Sequence, residues 1–227
     1  MPPDALPAKE AVRSNPPESR EEAMEAVLTA VGELGYRETS VQSVLERSGW
    51  HRVQFYRHFE SKEDCFAQAY GVWMDRLGVD LLKAAAAAAG WEAGVRTALA
   101  ELFHLVADQP AIARALFVEV QIAGEPAMAR HEAIVERFAA AVDTAREQIA
   151  PELAPPEETG AFVVGGVESC ICEALTGGDP ARIWQSLPEL MHFAAGSYFG
   201  GEAASAAFEE ASEWLQREGP LSERGAE

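Results

Sequence analysis

Apolar residues recur along this chain at three- and four-residue spacing and never in the strict alternation of a half-buried strand, so the pattern predicts helices throughout. Ser19-Arg20-Glu21-Glu22 has the form of a capping box, in which serine and glutamate side chains each accept a backbone N–H at a helix start. Ala23, Val27, Ala30, Val31 and Leu34 then make one buried face, and Gly35 stops this first helix. A second box, Thr39-Ser40-Val41-Gln42, opens a short helix through Val44 and Leu45 to Arg47, which Ser48-Gly49 ends. His51 to Phe59 forms a third short helix. Ser61-Lys62-Glu63-Asp64 caps a long fourth one that runs through Phe66, Tyr70, Trp73, Leu77 and Leu81.

Further along, breaks at Gln109-Pro110, Gly124-Glu125-Pro126, Pro151 to Pro156, Gly177-Gly178-Asp179-Pro180 and Gly200-Gly201 divide the chain into more helices. Stripes such as Ile134, Phe138, Ala141/Val142, Ala145 and Ile149 suit helices packed on one another. The reading is an all-α fold: a small three-helix head over residues 18–66 and a larger helical body over 67–218. Residues 1–17, rich in proline and charge, read as a disordered tail, and residues 219–227 as a loose one.

Composition changes this picture in three places. No uninterrupted apolar run approaches the ~20 residues of a membrane span, and the first residues lack the apolar core of a secretion signal, so a soluble, cytoplasmic protein is expected. Cys65, Cys170 and Cys172 lack zinc-site spacing, which makes them reduced core residues, with a redox sensor as the other reading. The net charge of −19 looks hostile to nucleic acid, yet it is unevenly spread. Residues 84–227 hold 8 basic and 23 acidic side chains (net −15), whereas residues 37–62 hold 5 basic and 3 acidic (net +2). An acidic body behind a basic edge repels DNA everywhere but at that edge, and so orients the encounter.

Two short helices around a tight glycine turn, the second rich in groups able to touch DNA, match a helix-turn-helix. In the third helix Phe55 and Phe59, four residues apart, share a buried face with Trp50. The opposite face presents Arg52, Val53, Gln54, Arg57 and His58 to a major groove. Arg52 suits guanine, Gln54 adenine and Val53 a thymine methyl. Tyr56, Lys62 and the start of the second helix at Thr39 and Ser40 suit phosphates. Trp50 reads as core, with groove insertion as the minor alternative. For His51 both a helix-cap or solvent-exposed role and a phosphate contact stay open.

In order, Leu34-Gly35-Tyr36, Thr39-Ser40-Val41, Ser48-Gly49, Phe55-Tyr56-Arg57-His58-Phe59 and Ser61-Lys62-Glu63 resemble the signature of the TetR family of transcriptional regulators. His51, Val53 and Gln54 depart from it, which points to an unusual operator. The resemblance covers about a fifth of the chain, residues 20–66. It implies that the equivalent tyrosine, lysine and threonine hold the DNA backbone, that the fourth helix links DNA binding to a ligand cavity, and that the last pair of long helices forms a four-helix homodimer interface. Trp73, Leu77, Phe103, His104, Phe117, Gln121 and Phe138 are the candidate cavity residues, each weighed against plain core packing; His104 reads first as a hydrogen-bonded core histidine. Gly165, Gly166, Ser169, Trp184, Leu187 and Met191 are the candidate dimer residues.

The implied function is a ligand-responsive regulator, in most relatives a repressor, that binds a pseudo-palindromic double-stranded operator as a homodimer and is released by a small molecule. No phosphate loop, nucleophile motif or metal-ligand spacing is present, so no catalytic residue, metal or cofactor is expected. The competing reading is a helical adaptor that keeps the fold but binds a protein partner.

Overall fold

The computed structural model describes residues 20–219 as ten α-helices joined by turns and 3₁₀ segments, without a strand among the described residues. The tail expected at 1–17, residues 220–227 and the cap residue Ser19 lie outside the described residues.

Helices α1 (Arg20–Leu34), α2 (Val41–Ser48) and α3 (Arg52–His58) make the head. Helix α1 stops at Gly35 because that residue takes φ +87, which only glycine adopts without strain. The cap of α2 sits one residue later than the T-x-x-Q pattern suggests. Ser40 Oγ accepts from Ser43 N (3.2 Å), and Ser43 Oγ accepts from Ser40 N (3.3 Å). Thr39 is taken out of that role because its hydroxyl turns back and donates to Gly35 O at 2.8 Å, where it helps finish α1. Gln42 reaches Glu46 on its own helix instead.

Helix α4 (Lys62–Ala86) is the long fourth helix, capped as expected by Ser61, whose Oγ accepts from Asp64 N at 3.1 Å. Beyond it come α5 (Trp91–Asp108), α6 (Pro110–Phe117), α7 (Glu125–Val142), α8 (Thr159–Thr176), α9 (Leu187–Phe199) and α10 (Gly201–Arg217). All five breaks read from glycine and proline fall between these helices. The stripe through Ala145 to Ile149 does not prolong α7, however: it continues as a 3₁₀ segment, Asp143–Gln148.

One apolar core runs through head and body, from Val27 and Val31 of α1 to Leu215 of α10. Two contacts fix the junction. At Gly32 the backbones of α1 and α6 approach so closely that an added Cβ would lie 1.8 Å from Ala111 O. Beside it Glu119, 6% exposed, accepts from Tyr36 N at 2.8 Å and from Arg114 at 3.0 Å, so one buried carboxylate ties the turn after α1 to the end of α6. Helix α4 makes a third connection, since it carries Phe66 against Tyr36 of the head (ring centroids 5.2 Å apart) and Tyr70 against His131 of α7 in the body.

The three thiols are free. Burial pushes the Cys65 thiol up to about 12 and raises Cys170 and Cys172 as well, which favours the protonated thiol in all three.

Candidate nucleic-acid interface and internal cavity

Helix α3 is pinned from below. Trp50, Phe55 and Phe59 are 4%, 0% and 2% exposed, and the Phe55 and Phe59 rings lie 5.3 Å apart. Trp50 is therefore core. The outer face carries Arg52, Val53, Tyr56, Arg57 and His58, all exposed. Val53 (66% exposed) and Tyr56 (51%) leave apolar surface open to water on this face.

Several groups expected at DNA do other work as well. Gln54 is half-buried, and its Oε1 accepts from His51 N at 3.0 Å, so it caps α3 from within. His51 is the N-cap residue and is exposed. The ring of His58 rests 5.1 Å from that of Trp50. Lys62 donates to Tyr36 O (2.9 Å) and Thr39 O (3.0 Å) and sits 4.2 Å over the Tyr36 ring. Its charge thus collects the carbonyls that end the α1–α2 turn. Thr39 is 2% exposed and its hydroxyl faces inward, whereas Ser40, at the start of α2, is exposed. The structure therefore divides the predicted set: Ser40, Arg52, Val53, Tyr56 and Arg57 face outward, and Thr39, Gln54, His58 and Lys62 also brace them.

In the body, α4, α5, α7, α8 and α9 line a cavity of about 490 Å³ that is partly open to solvent near the exposed Leu82 and Gly90. Its wall is almost wholly apolar, with Leu81, Trp91, Leu99, Val164 and Ile171 prominent. Three of the seven cavity residues proposed from sequence, Leu77, Phe117 and Phe138, line it. The other four lie off the wall. Trp73 packs half-buried against the core. Phe103 is fully buried edge-on against Trp184 at 5.6 Å. Gln121 is exposed. His104 is no core histidine: its side chain is 53% exposed, lies 3.6 Å from Asp108 and rests on the outer side of Trp184. An aromatic-rich helix face meets both core and cavity, and spacing alone does not say which side chain meets which.

Sequence reasoning passed over a polar cluster at the cavity's edge. Glu168 of α8 lines the wall; its Oε1 is 3.7 Å from His131 Nε2 of α7, and His131 Nδ1 is 2.9 Å from the Tyr70 hydroxyl of α4. A signal existed. His131 lies one turn before Ile134 on the α7 stripe, and Glu168 falls between Val164 and Ile171 on the inward stripe of α8, so each interrupts an apolar face.

The proposed dimer residues also divide. Trp184, Leu187 and Met191 are 2%, 0% and 1% exposed and are spent inside the protomer. Gly165 and Ser169 are exposed on α8, with Gly166 half-buried beside them. Phe162 (69%), Phe193 (44%) and Phe208 (38%) extend this surface onto α9 and α10.

A helix-turn-helix head is thus carried on a helical body that holds an apolar cavity. The family model of bacterial regulatory proteins of the tetR family matches residues 24–69, so the head is similar to a TetR-type DNA-binding domain. The fold is similar to that of the transcriptional regulator FadR from Bacillus subtilis, solved in complex with stearoyl-CoA (TM-score 0.68, 11% identity, covering 80% of this chain and 99% of that one). It is similar also to the fatty acid degradation regulator FadR from Bacillus halodurans (TM-score 0.66, 13% identity, 76% and 98%). A third neighbour is TylP, a TetR regulator from Streptomyces fradiae (TM-score 0.56, 19% identity, 88% and 92%). No curated protein matches the chain.

Proposed function

We propose that this protein is a cytoplasmic, ligand-responsive repressor that binds a pseudo-palindromic operator as a homodimer and leaves it when a small molecule fills the body. The observation that carries the reading is the path of α4. One continuous helix begins at Lys62, which braces the α1–α2 turn, and reaches the cavity at Leu77, Leu81 and Leu82. A ligand that favours one setting of α4 over another changes operator affinity by the same coupling energy.

On the DNA side Arg52, Val53 and Gln54 read bases, while Ser40, Tyr56 and Arg57 meet the backbone. Lys62 and Thr39 hold the turn from which α2 approaches it. Phe162, Gly165, Gly166 and Ser169 of α8, with Phe193 and Phe208, form the contact between copies, since they expose apolar and small surface that suits close helix approach. Two heads on one symmetric body then read two half-sites. For the ligand, about 490 Å³ of apolar space suits a molecule of drug or fatty-chain size, and the stearoyl-CoA complex of the Bacillus subtilis FadR shows that a similar fold receives an acyl compound.

The test is fluorescence anisotropy of a labelled duplex pool titrated with the purified protein at several salt concentrations. A steep fall of affinity with salt is expected, with a slope that drops by about one when Arg57 is replaced by alanine. Absence of DNA binding at low salt would favour the adaptor reading instead.

A further inference from the structure

Glu168 is an anomaly on the cavity wall. Among the described residues it is the one ionisable side chain there, facing a surface otherwise built from Leu, Val, Ile, Ala, Gly and aromatic rings together with Thr144, whose hydroxyl donates to Ala141 O at 2.8 Å. No Lys or Arg lines the same wall. Its carboxyl group is not used up within the protein: among the described residues it makes no hydrogen bond, and its nearest charged neighbour, His131 Nε2, stands at 3.7 Å, beyond hydrogen-bonding range. His131 is itself held on the other side, since its Nδ1 pairs with the Tyr70 hydroxyl at 2.9 Å. The side chain of Glu168 remains 26% exposed, although Val164 and Ile171 on either side of it are buried. An acceptor with spare lone pairs thus opens into an apolar space. Burial raises its proton affinity, and the His131 imidazole beside it offsets part of that rise.

A polar group left in such a place costs stability unless something completes it. The completing group must donate hydrogen bonds, and a positive charge on it gains most, because Glu168 is the only charge it meets on the wall. A ligand anion meets the opposite situation: no cation balances it and Glu168 repels it. We propose that the effector is an apolar, chain-like or aromatic molecule that carries an amine or a similar cationic donor, and that Glu168 receives this group inside the cavity. Resting on the reading that the cavity takes the effector, this assigns the ligand's polar chemistry. An acyl compound enters such a cavity by its chain alone, with its anionic part outside.

The experiment uses the full-length protein and three probes of equal chain length, dodecylamine, dodecanol and dodecanoate, each below its micelle-forming concentration. Binding is read by calorimetry and by the change in tryptophan fluorescence, to which Trp91 on the wall contributes. Titrations run in 0.5 M salt, which screens attraction of the amine to the acidic surface and leaves a buried contact largely intact. The amine is expected to bind at least tenfold tighter than the alcohol, and the carboxylate weaker than either. Glu168→Gln should weaken the amine and bring amine and alcohol within about threefold of each other. Equal affinities for all three probes, a preference for the carboxylate, or an amine preference that survives Glu168→Gln would overturn the proposal while leaving the cavity reading intact. Failure of all three to bind would overturn the cavity reading and the proposal with it. If the variant does not fold, as judged by circular dichroism, the order of the three probes on the wild-type protein decides alone.

Discussion

Gly32→Ala puts the head–body junction to a quantitative test. A single methyl group added there would sit 1.8 Å from the carbonyl oxygen of Ala111, 2.5 Å from its carbon and 2.9 Å from its Cα. All three are backbone atoms of α6, which cannot rotate away as a side-chain tip can, so α1 and α6 must separate. Overpacking of this kind costs about 1–3 kcal/mol, and a backbone obstacle belongs in the upper half of that range. Alanine returns up to about 1 kcal/mol of helix propensity over glycine. The net loss is about 1–2 kcal/mol, or a fall in Tm of about 2–8 °C for a domain of this size. Gly78→Ala is the matched control: it also lies inside a helix, but the nearest atom to its added methyl is Phe138 Cε1 at 3.5 Å, an ordinary contact, so Tm should hold or rise by a few degrees. Thermal unfolding followed by circular dichroism reads both. A Gly32→Ala variant as stable as the wild type, with α1 still seated on α6, would refute the close approach described here.

Other expectations follow from the same contacts. Lys62→Ala should weaken binding to all duplexes and also lower Tm by several degrees, since it removes two charge-assisted bonds to carbonyls, each worth about 1.5–3 kcal/mol at most; unchanged Tm would mean that the lysine serves DNA alone. Gln54→Ala should shift preference at one operator position by about 1–3 kcal/mol in competition binding, whereas Arg57→Ala should weaken all sequences alike. Tyr70→Phe leaves a ring nitrogen of His131 without its partner and should cost about 1–3 kcal/mol in urea unfolding. The carboxyl group of Glu168 binds its proton more tightly folded than unfolded. Its contribution is therefore most favourable below the unfolded value of 4.5 and declines as pH rises through the folded one. Glu168→Gln should accordingly be more stable than wild type above neutral pH, with the advantage shrinking toward pH 4; an advantage that grows on acidification would reverse the assigned sign.

Much of this was legible in the sequence, for a reason that differs by region. The breaks in the body were visible because proline and glycine act locally, and each falls where no neighbour can rescue a continuous helix. In the head, the Phe55–Phe59 pair and the Ser61 cap are likewise local, so the recognition helix could be placed to within a residue. Thr39 and Lys62 were read only partly, because their second partners, the carbonyl groups of Gly35 and Tyr36, are defined by the path of the turn and not by spacing. The body's side chains were less readable still. Phe103 and Phe117 look alike on their helices, yet one meets Trp184 and the other the cavity, and that outcome depends on which helix packs opposite. Trp184, Leu187 and Met191 were placed at a dimer face because they are large and apolar, but the protomer's own core claimed them.

The central claim is that this protein reads a symmetric operator, and selection from a random duplex pool by the purified full-length protein tests it most directly. Enrichment of an inverted repeat, its half-sites about one helical turn apart or a multiple of it and its core altered by Gln54→Ala, is the predicted result. Recovery of no preferred sequence, with or without an amine-bearing ligand present, would contradict it.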